Sequence, residues 1–94
     1  MAFLNKQERD ALLDDIKDMR FQQIRGYVNR KDPKTRLAYF RNVQQSGKWM
    51  TRYVLEGLGT QVTLVEQPRV NERTNRRKYE IEEIIVEPTA DNRL

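Results

Sequence analysis

Residues 32–47 read Asp32-Pro33-Lys34-Thr35-Arg36-Leu37-Ala38-Tyr39-Phe40-Arg41-Asn42-Val43-Gln44-Gln45-Ser46-Gly47, and the period of this stretch decides the architecture. As a helix, Asp32 is the N-cap, Pro33 the first helical residue and Gly47 the stop, with Leu37, Phe40 and Val43 sharing a face. As extended chain, Asp32-Pro33-Lys34 is a turn between strands over residues 24–29 and 35–44, and Ser46-Gly47 is the next turn. Tyr39, Phe40 and the β-branched Val43 favour the strand. The strand reading predicts an α+β fold, an N-terminal amphipathic helix packed on a curved antiparallel sheet or small barrel of four to five strands. The helix reading gives two helices followed by a three-stranded antiparallel sheet.

Working towards the N-terminus, Asn5 and Glu8 form a capping-box pattern that starts a helix. At about 100° per residue, Leu12, Leu13, Ile16, Met19 and Ile24 fall on one arc, and Asp14, Asp15 and Asp18 lie opposite. Phe21 lands on the wrong face, so the helix ends near Met19 or Arg20, with Gly26 the other candidate stop. Towards the C-terminus the period changes to two. Trp49, Thr51, Tyr53 and Leu55 alternate with Lys48, Met50, Arg52 and Val54, and residues 61–66 repeat the strand preference. Gly57-Leu58-Gly59-Thr60 between them supplies a hairpin loop and lacks the Lys and spacing of a phosphate-binding loop. In the last strand, over residues 78–87, Tyr79 and Ile81 share one parity and Ile84 and Val86 the other. A bulge around Glu82-Glu83 reconciles them, as does burial of the strand on both sides. Residues 71–77 form a polar connector. One domain is expected over residues 1–87, with 88–94 a flexible tail.

Composition excludes several kinds of chemistry. The 94 residues include no cysteine and no histidine. Disulfide frameworks, thiolate catalysis, Cys-based zinc sites and Ser-His-Asp chemistry all fall away, so no cofactor and no metal site is expected. The helix carboxylates Asp14, Asp15 and Asp18 lack the oxygen-rich loop of a hard-cation site and read as a solvated face. Apolar residues make up 37% of the chain, enough for one small core. The N-terminus has no signal-peptide apolar stretch and no segment is apolar enough to span a membrane, which leads to the expectation of a cytoplasmic protein without membrane partners.

The net charge of +4 is unevenly placed. Residues 21–53 carry Arg25, Arg30, Lys31, Lys34, Arg36, Arg41, Lys48 and Arg52 against Asp32 alone, whereas residues 79–94 are acidic through Glu80, Glu82, Glu83, Glu87 and Asp91 against Arg93. A dense run of one sign opposes folding by self-repulsion unless something offsets it. Aromatic residues interleave with this run: Tyr27, Tyr39, Phe40, Trp49 and Tyr53. Cations that track phosphates beside aromatic faces that accept unstacked bases are the ingredients of a single-strand nucleic-acid site. On strands, Arg25 points with Tyr27, and Tyr39 with Arg41. Trp49, the only tryptophan, reads as a core residue. A second basic patch, Arg73, Arg76, Arg77 and Lys78, sits at a hairpin tip and gains significance only if it lies beside the first.

The expected function is therefore a small basic nucleic-acid-binding module, for single-stranded RNA or DNA. Its candidate contacts are Arg25, Tyr27, Arg30, Lys31, Lys34, Arg36, Tyr39, Arg41, Lys48, Arg52, Arg73, Arg76, Arg77 and Lys78. The alternative is a non-catalytic subunit or adaptor with a protein partner, self-associating as a homo-oligomer through complementary basic and acidic surfaces. A histidine-free ribonuclease using Lys, Arg, Tyr and Glu comes third, because no spacing selects a catalytic constellation. No catalytic residue is assigned.

Overall fold

A computed structural model of the chain describes residues 3–42 and 48–89, without the side chains of residues 42, 68–71 and 77–79. In chain order the elements are α1 (Lys6–Ile16), α2 (Phe21–Lys31), β1 (Arg36–Asn42), β2 (Lys48–Leu55), a short 3-10 turn (Glu56–Leu58), β3 (Thr60–Asn71) and β4 (Arg76–Pro88). The fold is α+β: two helices lie on one face of a four-stranded antiparallel meander ordered β1-β2-β3-β4.

The capping box starts α1 as the sequence predicts. Asn5 Oδ1 accepts from the Glu8 N–H at 2.8 Å, and Glu8 Oε1 accepts from the Asn5 N–H at 3.2 Å. The helix stops at Ile16, earlier than expected, with the Lys17 N–H closing on the Leu13 carbonyl. A second helix follows where residues 24–29 read as a strand. Its buried residues, Ile24 and Val28, are one helical turn apart, and Gln23 Oε1 accepts from the Arg20 N–H at its start. Phe21 was out of phase with α1 because it opens a new helix with its own phase.

The decisive stretch is a turn followed by a strand. Asp32 terminates α2 instead of starting a helix: its N–H bonds to the Val28 carbonyl, and its carbonyl accepts from the Thr35 N–H and hydroxyl. Its carboxylate, in a residue only 8% exposed, accepts from the Lys34 N–H at 3.0 Å and from the Gly57 N–H at 2.9 Å. One side chain thus ties the α2–β1 turn to the β2–β3 connection. Leu37 and Phe40 take opposite faces, since successive side chains of a strand alternate. Val43, Gln44 and the Ser46-Gly47 turn lie outside the described residues.

The core is formed by Leu12, Ile16, Ile24 and Val28 from the helices against Tyr53, Leu55, Val62 and Leu64 from β2 and β3. The bulge predicted around Glu82-Glu83 is present: Val65 pairs with Glu83 and Glu66 with Ile81, so Glu82 is the extra residue. It lets Ile81, Ile84 and Val86 all pack against the core despite their mixed parity. Beyond Glu66, β3 pairs with β4 alone, so a two-stranded arm projects past the sheet. Its tip turns through residues 72–75, where Asn75 takes the left-handed conformation (φ 55°) that asparagine tolerates. At the other end of β4, Pro88 still pairs with Thr60, and the Thr89 N–H donates to the Gly59 carbonyl. Residues 90–94, the rest of the expected tail, lie outside the described residues.

Candidate nucleic-acid interface

The helices cover only part of the sheet. On the helix-facing side, β1 contributes Leu37, Tyr39 and Arg41, opposite Tyr53, Thr51 and Trp49 of β2. Tyr53 lies under the helices and is buried, but Leu37, Tyr39 and Trp49 are exposed, Tyr39 at 67% and Trp49 at 43%. Trp49 is thus a surface residue, contrary to its expected place in the core. It shares the parity of buried Tyr53, but it lies four residues earlier on β2, near the strand's start and outside the covered area. Sequence parity alone carries no information about where a helix stops covering a strand.

Beside this shelf is an open cleft of about 350 Å³, walled by Phe21, Gln22 and Arg25 of α2 and floored by Tyr39, Thr51, Tyr53 and Glu66 of the sheet. Its size falls in the range of about 300–1,000 Å³ typical of small-ligand sites. The Thr51 hydroxyl donates a hydrogen bond to Glu66 Oε1, which anchors the carboxylate. Burial pushes the Tyr53 hydroxyl above its ordinary value; Tyr39 adds to the rise, Arg25 opposes it, and Glu66 contributes a further increase. These groups therefore form one electrostatic neighbourhood. The row Arg41–Trp49–Glu66–Ile81 crosses the sheet at the base of the projecting arm. The hairpin-tip cations Arg73 and Arg76 thus emerge from the same end of the sheet as Arg41 and Trp49. Arg77 and Lys78 occupy backbone positions in β4, but their side chains lie outside those described.

The other candidate residues are dispersed. Tyr27 and Arg25 diverge by about 200°, because two residues on a helix do not share a face. Tyr27 instead bridges the helices: its hydroxyl donates to Asp15 Oδ2 at 2.7 Å, and Lys31 Nζ lies 5.3 Å from its ring centroid. Burial, then the Asp15 hydrogen bond and charge, raise its hydroxyl to about 12, against an opposing effect from Arg30. Arg30 and Lys34 are exposed, on the last turn of α2 and in the α2–β1 turn. Arg36 pairs with Glu56.

Lys48 and Arg52 belong to the far side of the sheet. Lys48 Nζ is 2.6 Å from Glu82 Oε2, bridging over β3. Arg52 lies across the sheet, its guanidinium 4.8 Å from the Phe40 ring centroid and its Nε–H donating to Thr63 Oγ1 at 3.1 Å. Of the original set, Arg25, Tyr39 and Arg41 therefore gather at the shelf, with the tip cations beyond the same end. Trp49 and Glu66 are the additions. The cross-strand register that aligns them was not available from spacing, because the residues lie on strands separated by a loop.

Among the described residues no group of three or more Asp, Glu, His or Cys side chains is arranged to hold a metal ion, and no helix is long and apolar enough to cross a membrane. In comparison with known proteins, the chain matches no protein-family model, and no curated protein or solved structure matches it.

Proposed function

We propose that this protein is a small single-stranded nucleic-acid-binding module whose contact surface runs from the Tyr39–Trp49 shelf to the basic arm. The observation that carries the proposal is the meeting of two exposed aromatic side chains, Tyr39 and Trp49, with Arg25 and Arg41 on a part of the helix-facing sheet that the helices leave uncovered. Exposed aromatic rings are costly to hydrate and stack readily on splayed bases, while guanidinium groups beside them neutralise phosphates. The arm adds cations along the direction that a strand leaving the shelf follows. The role is binding with no bond made or broken, in the cytoplasmic setting expected from the sequence.

The test is binding of labelled single-stranded RNA, single-stranded DNA and duplex DNA across a salt series. Affinity for a single strand should fall linearly on a log–log plot against salt. Tyr39→Ala should cost about 1–3 kcal/mol on single strands, the usual worth of one stacked base, and much less on duplex. A salt slope near zero, no binding at low salt, or equal losses on both substrates contradicts the proposal.

A second reading, self-association, is supported by a different observation. The far side of the sheet is divided by charge, with Arg36, Lys48 and Arg52 on β1 and β2, and Glu80, Glu83 and Glu87 on β4. A two-fold axis parallel to the strands sets β1 of one copy against β4 of the other, the arrangement in which opposite charges meet. Light scattering decides it: a strict monomer at low salt removes this reading and leaves the first intact.

A further inference from the structure

We infer that the cleft between α2 and the sheet selects guanine among the bases of a single strand, through the Glu66 carboxylate at its floor. The inference rests on the proposed single-strand binding and specifies its ligand. A carboxylate at the centre of a basic surface repels phosphate, so its presence beside Tyr39, Trp49 and Arg25 marks the place of a base and not of the backbone. Glu66 faces Trp49 directly across the β2–β3 pair, where opposed side chains are about 5 Å apart at Cβ. The bond from Thr51 fixes its orientation while using one of the roughly four acceptor positions that a carboxylate carries.

All bases present a stacking face, and they differ in their Watson–Crick edges. Guanine alone offers two adjacent donors, N1–H and the N2 amino group, which match the two oxygens of an ionised carboxylate. Adenine and cytosine place a ring acceptor beside their single amino group, and uracil places a carbonyl on each side of its N–H. Each of these sets a lone pair against a carboxylate oxygen, a repulsion that guanine avoids. Arg25, on the cleft wall, supplies donors of the kind that pair with guanine O6 and N7. Sequence preference thus comes from Glu66 and Arg25, and general affinity from the aromatic shelf and the remaining cations.

The experiment uses the full chain and a short labelled oligouridylate carrying one central guanosine, adenosine, cytidine, uridine or inosine. Inosine keeps N1–H, O6 and N7 but lacks the N2 amino group. The guanosine oligonucleotide should bind roughly tenfold more tightly than the adenosine, cytidine and uridine ones, with inosine losing most of that gain. Glu66→Gln, which keeps the shape and gives up the charge, should level the ranking among the five oligonucleotides. Equal affinity for all five, inosine matching guanosine, or a guanosine preference that survives Glu66→Gln overturns the guanine assignment and leaves single-strand binding standing. Absence of binding to every oligonucleotide at low salt overturns both. If the variant does not fold, judged by circular dichroism, the inosine comparison on the unaltered protein decides.

Discussion

Replacing Asp32 by alanine tests how the turn into β1 is held. The carboxylate accepts from the Lys34 and Gly57 N–H groups at 3.0 and 2.9 Å in a residue that is 8% exposed. Hydrogen bonds to a charged acceptor contribute about 1.5–3 kcal/mol each. Lys34 is exposed, so its N–H regains water in the variant, and that loss falls at the bottom of the range. Gly57 is also exposed, and truncation of Asp32 vacates the space its carboxylate fills, so water reaches that N–H too and the second loss also falls low in the range. The sum for Asp32→Ala is about 2–4 kcal/mol, out of a total stability on the order of 5–14 kcal/mol for a chain of this length. Asp32→Asn should cost about half as much, because the amide keeps one oxygen and turns a donor towards the other N–H. Urea denaturation followed by far-ultraviolet circular dichroism gives both numbers, with the m-value unchanged if only the native state is weakened. An Asp32→Ala variant within about 0.5 kcal/mol of the parent would refute the idea that this carboxylate joins the α2–β1 turn to the β2–β3 connection.

Three further outcomes are expected. Gly26 sits inside α2, where an added Cβ meets only Arg30 Nη1 at 3.5 Å, so Gly26→Ala should stabilise by about 0.5–1 kcal/mol and raise Tm by several degrees; a lower Tm contradicts this. Tyr27 is raised from 10.0 to about 12, so the fold favours its neutral form; that stabilisation is complete below pH 10 and is lost as pH climbs from 10 to about 12. Absorbance titration should show a late tyrosinate step that loses one tyrosine's amplitude in Tyr27→Phe, and an unchanged amplitude in the variant assigns that part of the step elsewhere. Arg52→Ala should leave nucleic-acid affinity unchanged and lower stability, since its guanidinium lies on the far side against Phe40 and Thr63, whereas Arg41→Ala should weaken binding and reduce the salt slope by about one. Equal weakening by the two in anisotropy titrations would place binding on both faces and remove the shelf as the site.

The sequence by itself determined what depends on neighbours along the chain. The Asn5–Glu8 capping box, the strand character of residues 36–42, the glycine-bearing β2–β3 connection and the Glu82 bulge were all legible, because caps, turns and side-chain periodicity act over a few residues. The shared parity of Tyr39 and Arg41 was legible for the same reason. The second helix was not, since Ile24 and Val28 fit a short strand or a helix equally well until a core exists to bury one face. Tertiary structure decided the site. Burial of Tyr53 and exposure of Trp49, on the same face of the same strand, follow from where α1 and α2 stop covering the sheet. The approach of Arg25, Trp49 and Glu66 follows from helix packing and from the β2–β3 register, both set by long-range burial of apolar surface. The same packing sent Arg52 and Lys48 to the opposite side, so the basic run that appears continuous in the sequence is divided in space, and only part of it faces the cleft.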